Sequence, residues 1–147
     1  MIATVRDIIR KKGNDVITIL QDVSAYEALS LMKERDIGAL LVTNRTGKVV
    51  GIVSYQDCTQ RVILDEKPAK RTPVSKIMVR DIIGISMEKT AEECIVVMLE
   101  KHIRHLPVLD GDNVVGLVSI GDAVRSIVKK QRVEIKQLSS YIAGSYV

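Results

Sequence analysis

Two stretches of seven residues, Gly51-Ile-Val-Ser54-Tyr-Gln-Asp57 and Gly116-Leu-Val-Ser119-Ile-Gly-Asp122, run out of apolar β-branched sequence into what reads as a helix start. Such a start presents unpaired N–H groups and the positive end of the helix dipole, so an anion is favoured there. The serine hydroxyl can cap the helix, and a glycine in the strand lets a ligand or another backbone approach closely. The aspartate three residues later can accept two hydrogen bonds from a vicinal diol such as ribose. Position for position, this chemistry suits a nucleoside phosphate. Ser-x-x-Asp is also an ordinary capping box that stabilises a helix without any ligand, and duplication preserves caps as well as sites.

A third constellation is His102-Ile-Arg104-His105-Leu-Pro107. Arg104 and His105 stand where the chain enters a strand beside the second of these helix starts. A guanidinium there can pair bidentately with phosphate while the imidazole adds a hydrogen bond. The alternative is an exposed arginine and a surface histidine. No third or fourth ligand sits at metal-binding spacing from His102 and His105, so no metal site is expected. Nor can a nucleophile, base and orienting group be assembled, so no catalytic residues are assigned and the chain is not read as an enzyme.

The elements that hold these residues are duplicated. Val16–Val42 aligns with Ile82–Val108 at a constant offset of 66 with nine identities in 27 positions, among them Ile19/Ile85, Glu27/Glu93, Met32/Met98 and Leu40/Leu106. After a one-residue deletion, Val49–Asp57 matches Val114–Asp122 at six of nine positions. Each copy opens on a short strand, Val16–Leu20 or Ile82–Ser86. A capping box follows, Ser24-Ala-Tyr-Glu27 or Thr90-Ala-Glu-Glu93, and begins an amphipathic helix. Two apolar runs come next, Gly38–Val42 with Val49–Val53 and Leu106–Leu109 with Val114–Val118. The Asn, Asp and Gly between them suit hairpin turns. The second helices run from Ser54 to Leu64 and from Ser119 to Lys130. Val5–Ile9 and Val74–Met78 echo each other as short lead-in helices at an offset of 69. A period in the sixties points to two packed units rather than a solenoid.

The boundaries that follow are a first repeat at 1–66, a basic linker at 67–73, a second repeat at 74–130 and a partly helical tail at 131–147. Ile135, Leu138 and Ile142 give that tail an apolar stripe, ending before Gly144, that could dock on the body or on a second chain.

The chain has 147 residues, 46% apolar and 27% charged, as an ordinary globular domain does. No apolar run approaches the ~18 residues of a membrane span, and Met1–Arg10, with Asp7, is not read as a signal peptide. A cytoplasmic protein with no membrane contact is expected. Cys58 and Cys94 lie far apart and are expected to be reduced and packed. The net charge of +4 is too small to mark a nucleic-acid binder, and the absence of Trp and Phe removes stacking platforms. Lys67, Lys70, Arg71, Lys76, Arg80, Arg125, Lys129, Lys130 and Arg132 could still form a nucleic-acid surface or a purely structural interaction surface. They read first as solvated helix faces and a linker.

Taken together, the duplicated strand–helix–strand–strand–helix unit, the Gly-h-x-Ser-x-x-Asp ending of both copies and the Arg-His-Leu-Pro-Val segment resemble the cystathionine β-synthase-type (CBS) domain pair, or Bateman module, in its stand-alone two-repeat form. The resemblance covers about Val5 to Lys130. It implies an α+β fold of tandem repeats packed with pseudo-two-fold symmetry. It also implies a regulatory, energy- or metabolite-sensing role in which an adenosine nucleotide (AMP, ADP or ATP, with NAD and S-adenosylmethionine as further candidates) is clamped between the repeats, with no cofactor required. The ribose position carries over to Asp122 and Asp57, the phosphate or ribose positions to Ser119, Ser54, Arg104 and His105. The base would lie against Ile85, Leu106 and Val108, or Ile19, Leu40 and Val42. A homodimer of pairs acting on a separate effector protein is implied, and no nucleic-acid partner. The first repeat departs from the pattern, with Gly38 and Ala39 in place of Arg104 and His105, so it lacks its own phosphate cation.

Overall fold

The computed structural model describes residues 2–13 and 17–145. In chain order these form α1 (Val5–Lys12), β1 (Thr18–Leu20), α2 (Ala25–Arg35), β2 (Ala39–Thr43), β3 (Val49–Ser54), α3 (Tyr55–Leu64), a 3-10 turn (Val74–Lys76), β4 (Ile85–Ser86), α4 (Ala91–Lys101), β5 (His105–Asp110), β6 (Asn113–Ser119) and α5 (Ile120–Ser145). The fold is α+β. Each copy builds a three-stranded sheet, β1-β2-β3 or β4-β5-β6, whose first pair is parallel and second antiparallel. The parallel pair requires a crossover, supplied by α2 or α4, whereas the antiparallel pair closes through a short turn. In the first turn the Asn44 side chain accepts from the Thr46 and Lys48 amides and Gly47 takes φ 85°; in the second, Gly111 takes φ 62°.

Two compact units result, and they cut the chain differently from the repeat boundaries. One joins Met1–Asn14 to Ile85–Val147; the other is Asp15–Gly84. Thus α1 packs with the second copy, and the segment after the 3-10 turn packs with the first. In the first of these units the Val5 and Arg6 amides donate to the carbonyls of Lys89 and Met87, and Val5, Ile8 and Ile9 join a core with Ile85, Met98, Leu106, Val108 and Val118. In the other, Val74, Ile77 and Met78 join Ile19, Met32, Leu40, Val42 and Val53. The glycines in the strands are occupied by these lead-ins rather than left open for a ligand. A Cβ at Gly116 would lie 2.6 Å from Ile9 Cδ1, and one at Gly51 would lie 2.7 Å from Met78 Sδ and 2.9 Å from the Val79 carbonyl.

Several local expectations shift. The lead-ins are not equivalent: α1 has a complete capping box between Thr4 and Asp7, while Pro73 offers the second no side-chain cap. The second therefore makes one 3-10 turn and then extends, its Val79 exchanging amide–carbonyl bonds of 2.9 and 3.0 Å with Ile52. Only Ile85 and Ser86 of the expected strand Ile82–Ser86 pair, with Val108 and Leu109; Gly84 disfavours extension toward Ile82. The box at Thr90 is reciprocal, whereas at Ser24 the hydroxyl accepts from the Glu27 amide alone. The expected helix to Lys130 and the separate tail merge into α5, unbroken to Ser145, with its residues from Gln131 to Ile142 exposed. Val16 and residues 146–147 of these expectations lie outside the described residues.

Candidate functional site

At the start of α5 the Ser119 side chain accepts from the Asp122 amide at 3.1 Å, and Asp122 Oδ2 accepts from the Ser119 amide at 2.9 Å. The expected capping box is complete. Two cations complete the surroundings of the carboxylate. Lys12 Nζ, from the last residue of α1, donates to Asp122 Oδ2 at 2.8 Å and to the Leu117 carbonyl at 2.8 Å. Arg125 Nη2, one turn along α5, donates to Oδ1 at 2.9 Å. The Asp122 side chain is only 10% exposed, so these contacts lie largely out of water on its side. Burial pushes the Asp122 carboxyl up, but the Lys12 ammonium and the Ser119 amide outweigh it and hold it below the usual carboxylate value.

Arg104 and His105 adjoin this point. The Ile120 amide, first in α5, donates to the Arg104 carbonyl at 2.8 Å, and His105 pairs across the sheet with Ser119. The Arg104 side chain is exposed and His105 half-buried. Burial lowers the His105 imidazole below its ordinary value; Lys12 and Arg104 lower it further, while Asp122 opposes them. Four of the expected residues, Ser119, Asp122, Arg104 and His105, thus meet at the start of one helix. Lys12, which the sequence does not mark, and Arg125, which the sequence assigns only to the basic surface, join them. The i, i+3 spacing of Arg125 from Asp122 was a readable signal; nothing local ties Lys12 to a residue 110 positions away.

In the other copy Ser54 accepts from the Asp57 amide at 3.0 Å, and the Tyr55 amide donates to the Gly38 carbonyl as Ile120 does to Arg104. Here the resemblance ends. Among the described residues no cation and no amide is recorded donating to the half-buried Asp57 carboxylate. At the offset that aligns the lead-ins, Lys12 corresponds to Asp81, an acid.

The base-contact candidates lie in the two hydrophobic cores. Ile85, Leu106 and Val108, like Ile19, Leu40 and Val42, are buried side chains of their own unit's core, between sheet and helices. Strand alternation puts Pro107 with its partner Leu117, and Leu41 with its partner Ile52, on the opposite sheet face.

The basic surface is partly engaged: Lys130 lies 4.0 Å from Glu92, Arg125 is paired to Asp122, and Lys70 stands over the Tyr26 ring. No helix is long and apolar enough to cross a membrane, among the described residues.

The CBS domain model matches residues 4–63 and 74–129. The chain belongs to the CBS domain family. It is 30% identical over 151 residues to the mitochondrial CBS domain-containing protein CBSX3 of Arabidopsis thaliana, covering 97% of this chain and 73% of that protein. A protein with CBS domains from Burkholderia ambifaria superposes with a TM-score of 0.83 at 37% identity, over 88% of this chain and 96% of that one. The CBS domain pair of protein MJ0100, solved with 5′-methylthioadenosine and S-adenosyl-L-methionine, gives a TM-score of 0.76 at 25% identity, over 88% and 99% of the two chains. Several of the similar proteins are named CBS domain-containing proteins, a family that is generally regulatory.

Proposed function

We propose that this CBS pair is a non-catalytic regulatory module that binds an adenosine nucleotide, with the phosphate taken at the start of α5. The observation that carries this reading is the charge arrangement there. One carboxylate, Asp122, is met by Lys12 and Arg125, with Arg104 next to them, so the site holds more positive than negative charge at a helix N-terminus. The adenosine derivatives bound by the MJ0100 pair support an adenosine-type ligand. Ser119 and Asp122 are assigned to ribose and phosphate, Arg104 and His105 to phosphate. Asp57 and Ser54, whose carboxylate receives no cation among the described residues, are assigned to the ribose of a second, weaker site.

Occupancy can regulate only through a difference in affinity between two states. Association of two chains is the state we assign, with a homodimer formed over apolar residues left exposed on α4 and α5, among them Val96, Leu99 and Val124. The receiving partner is a separate effector protein. Two buried, unpaired thiols suit a reducing compartment such as the cytoplasm.

A thermal-shift panel over AMP, ADP, ATP, NAD, S-adenosylmethionine and GMP tests this function. A ligand at 100 times its dissociation constant stabilises by about 2.7 kcal/mol, so an adenylate should raise Tm and GMP should not. Flat melts across the panel would refute nucleotide binding.

A further inference from the structure

The contrast between Asp122 and Asp57 bears on which ligands the proposed site accepts. A carboxylate offers about four lone-pair positions, two on each oxygen. At Asp122 three are taken: Oδ2 by the Ser119 amide and Lys12 Nζ, Oδ1 by Arg125. A vicinal diol binding side-on needs one free position on each oxygen. Oδ1 has one, but Oδ2 has none. The Ser119 amide is fixed in the turn that starts α5, so the donor that can leave Oδ2 is Lys12, whose ammonium rides on a flexible four-carbon stem and whose side chain is 41% exposed. Moving that ammonium off the half-buried carboxylate is costly unless a new anion receives it. A phosphate attached to the same ribose supplies one within the reach of the stem. An uncharged nucleoside supplies none, and a sulfonium would add a further positive charge to Lys12, Arg104 and Arg125. Among the described residues Asp57 has no such occupant.

We propose that Lys12 is the specificity-determining residue of the Asp122 site, a tethered competitor that yields the carboxylate only to a ligand carrying its own phosphate. The site thereby selects phosphorylated nucleosides over uncharged or cationic adenosine derivatives. This rests on the nucleotide reading above.

The test is titration calorimetry with AMP and with adenosine on an Asp57→Ala background, which leaves Asp122 as the remaining motif carboxylate. The Asp57→Ala protein is compared with the same protein carrying Lys12→Met, Lys12→Gln or Lys12→Arg. Removing the ammonium should tighten adenosine binding and reduce the AMP-over-adenosine preference by about tenfold or more, the size of one charge-assisted hydrogen bond. Lys12→Arg should keep the preference. Lys12→Gln retains a donor for the Leu117 carbonyl without a charge and guards against loss of folding in Lys12→Met, which a melt would reveal. If AMP binds but adenosine affinity is unmoved or weaker in both neutral variants, the role of Lys12 is overturned and the nucleotide reading stands. If neither wild type nor any variant binds AMP, both fall.

Discussion

Gly116 faces the tip of Ile9 and Gly51 faces the backbone of Val79: an added Cβ would come within 2.6 Å of Ile9 Cδ1 in one case and 2.9 Å of the Val79 carbonyl oxygen in the other. Both strands are thus narrowed at the same repeat position to admit a lead-in segment, one helical and one extended. Neighbours that can turn aside and neighbours that cannot respond differently to the same added methyl.

Gly116→Ala should therefore cost about 1 kcal/mol, because Ile9 can change rotamer, while Gly51→Ala should cost toward 3 kcal/mol. In the second case the clash reaches a carbonyl held by the paired bonds between Ile52 and Val79. Urea denaturation of the two variants measures the difference, and a larger loss at Gly116 would show that the Val79 segment yields.

Asp122→Ala should weaken AMP binding roughly 10- to 150-fold, the loss expected for hydrogen bonds to a charged group, and Asp57→Ala far less. The asymmetry follows from the cations that, among the described residues, adjoin Asp122 and not Asp57. Calorimetry showing equal losses, or none, would contradict it. Asp122→Ala should also lower stability by about 1 kcal/mol through the lost cap, the solvent-screened Arg125 contact adding little.

The pH dependence has a definite sign. His105 is held below its ordinary value of 6.5, so the folded protein resists taking up a proton that the unfolded chain accepts. Its contribution to stability is complete above pH 6.5 and is lost as pH falls from there through the lowered folded value. Asp122, held below 3.8, adds a second loss that begins only beneath that value, as pH falls through its own folded pKa. NMR titration of the imidazole should find His105 below 6.5, higher in Lys12→Met because a neighbouring cation is gone, and lower in Asp122→Ala. An unshifted His105 in Lys12→Met would mean that the ammonium does not sit beside it in solution.

The thiols should be silent in the native state. Burial pushes Cys58 up to about 12 and Cys94 up to about 11, with Asp57 and Glu93 adding to the respective rises. Neither should react with a disulfide reagent at pH 8 until the chain unfolds, whereupon both should react. Rapid labelling of either in the folded protein would show local opening of its helix.

The sequence by itself determined the repeated elements and the cap at the start of each second helix. Alternation, turn residues and Ser/Thr-x-x-Glu/Asp spacing act over a few residues, and duplication printed each signal twice. It also brought Ser119 and Asp122 together correctly, since three positions suffice to close that box. Tertiary structure alone decided that α1 packs with the second copy, and hence that Lys12 reaches Asp122 while Asp57 receives no cation among the described residues. It decided, too, that Ile85, Leu106 and Val108 are core, because alternation separates two sheet faces but does not say which one the helices cover. The first of these outcomes joins surfaces 110 positions apart, the second depends on how whole elements pack, and no residue carries either in its immediate neighbours.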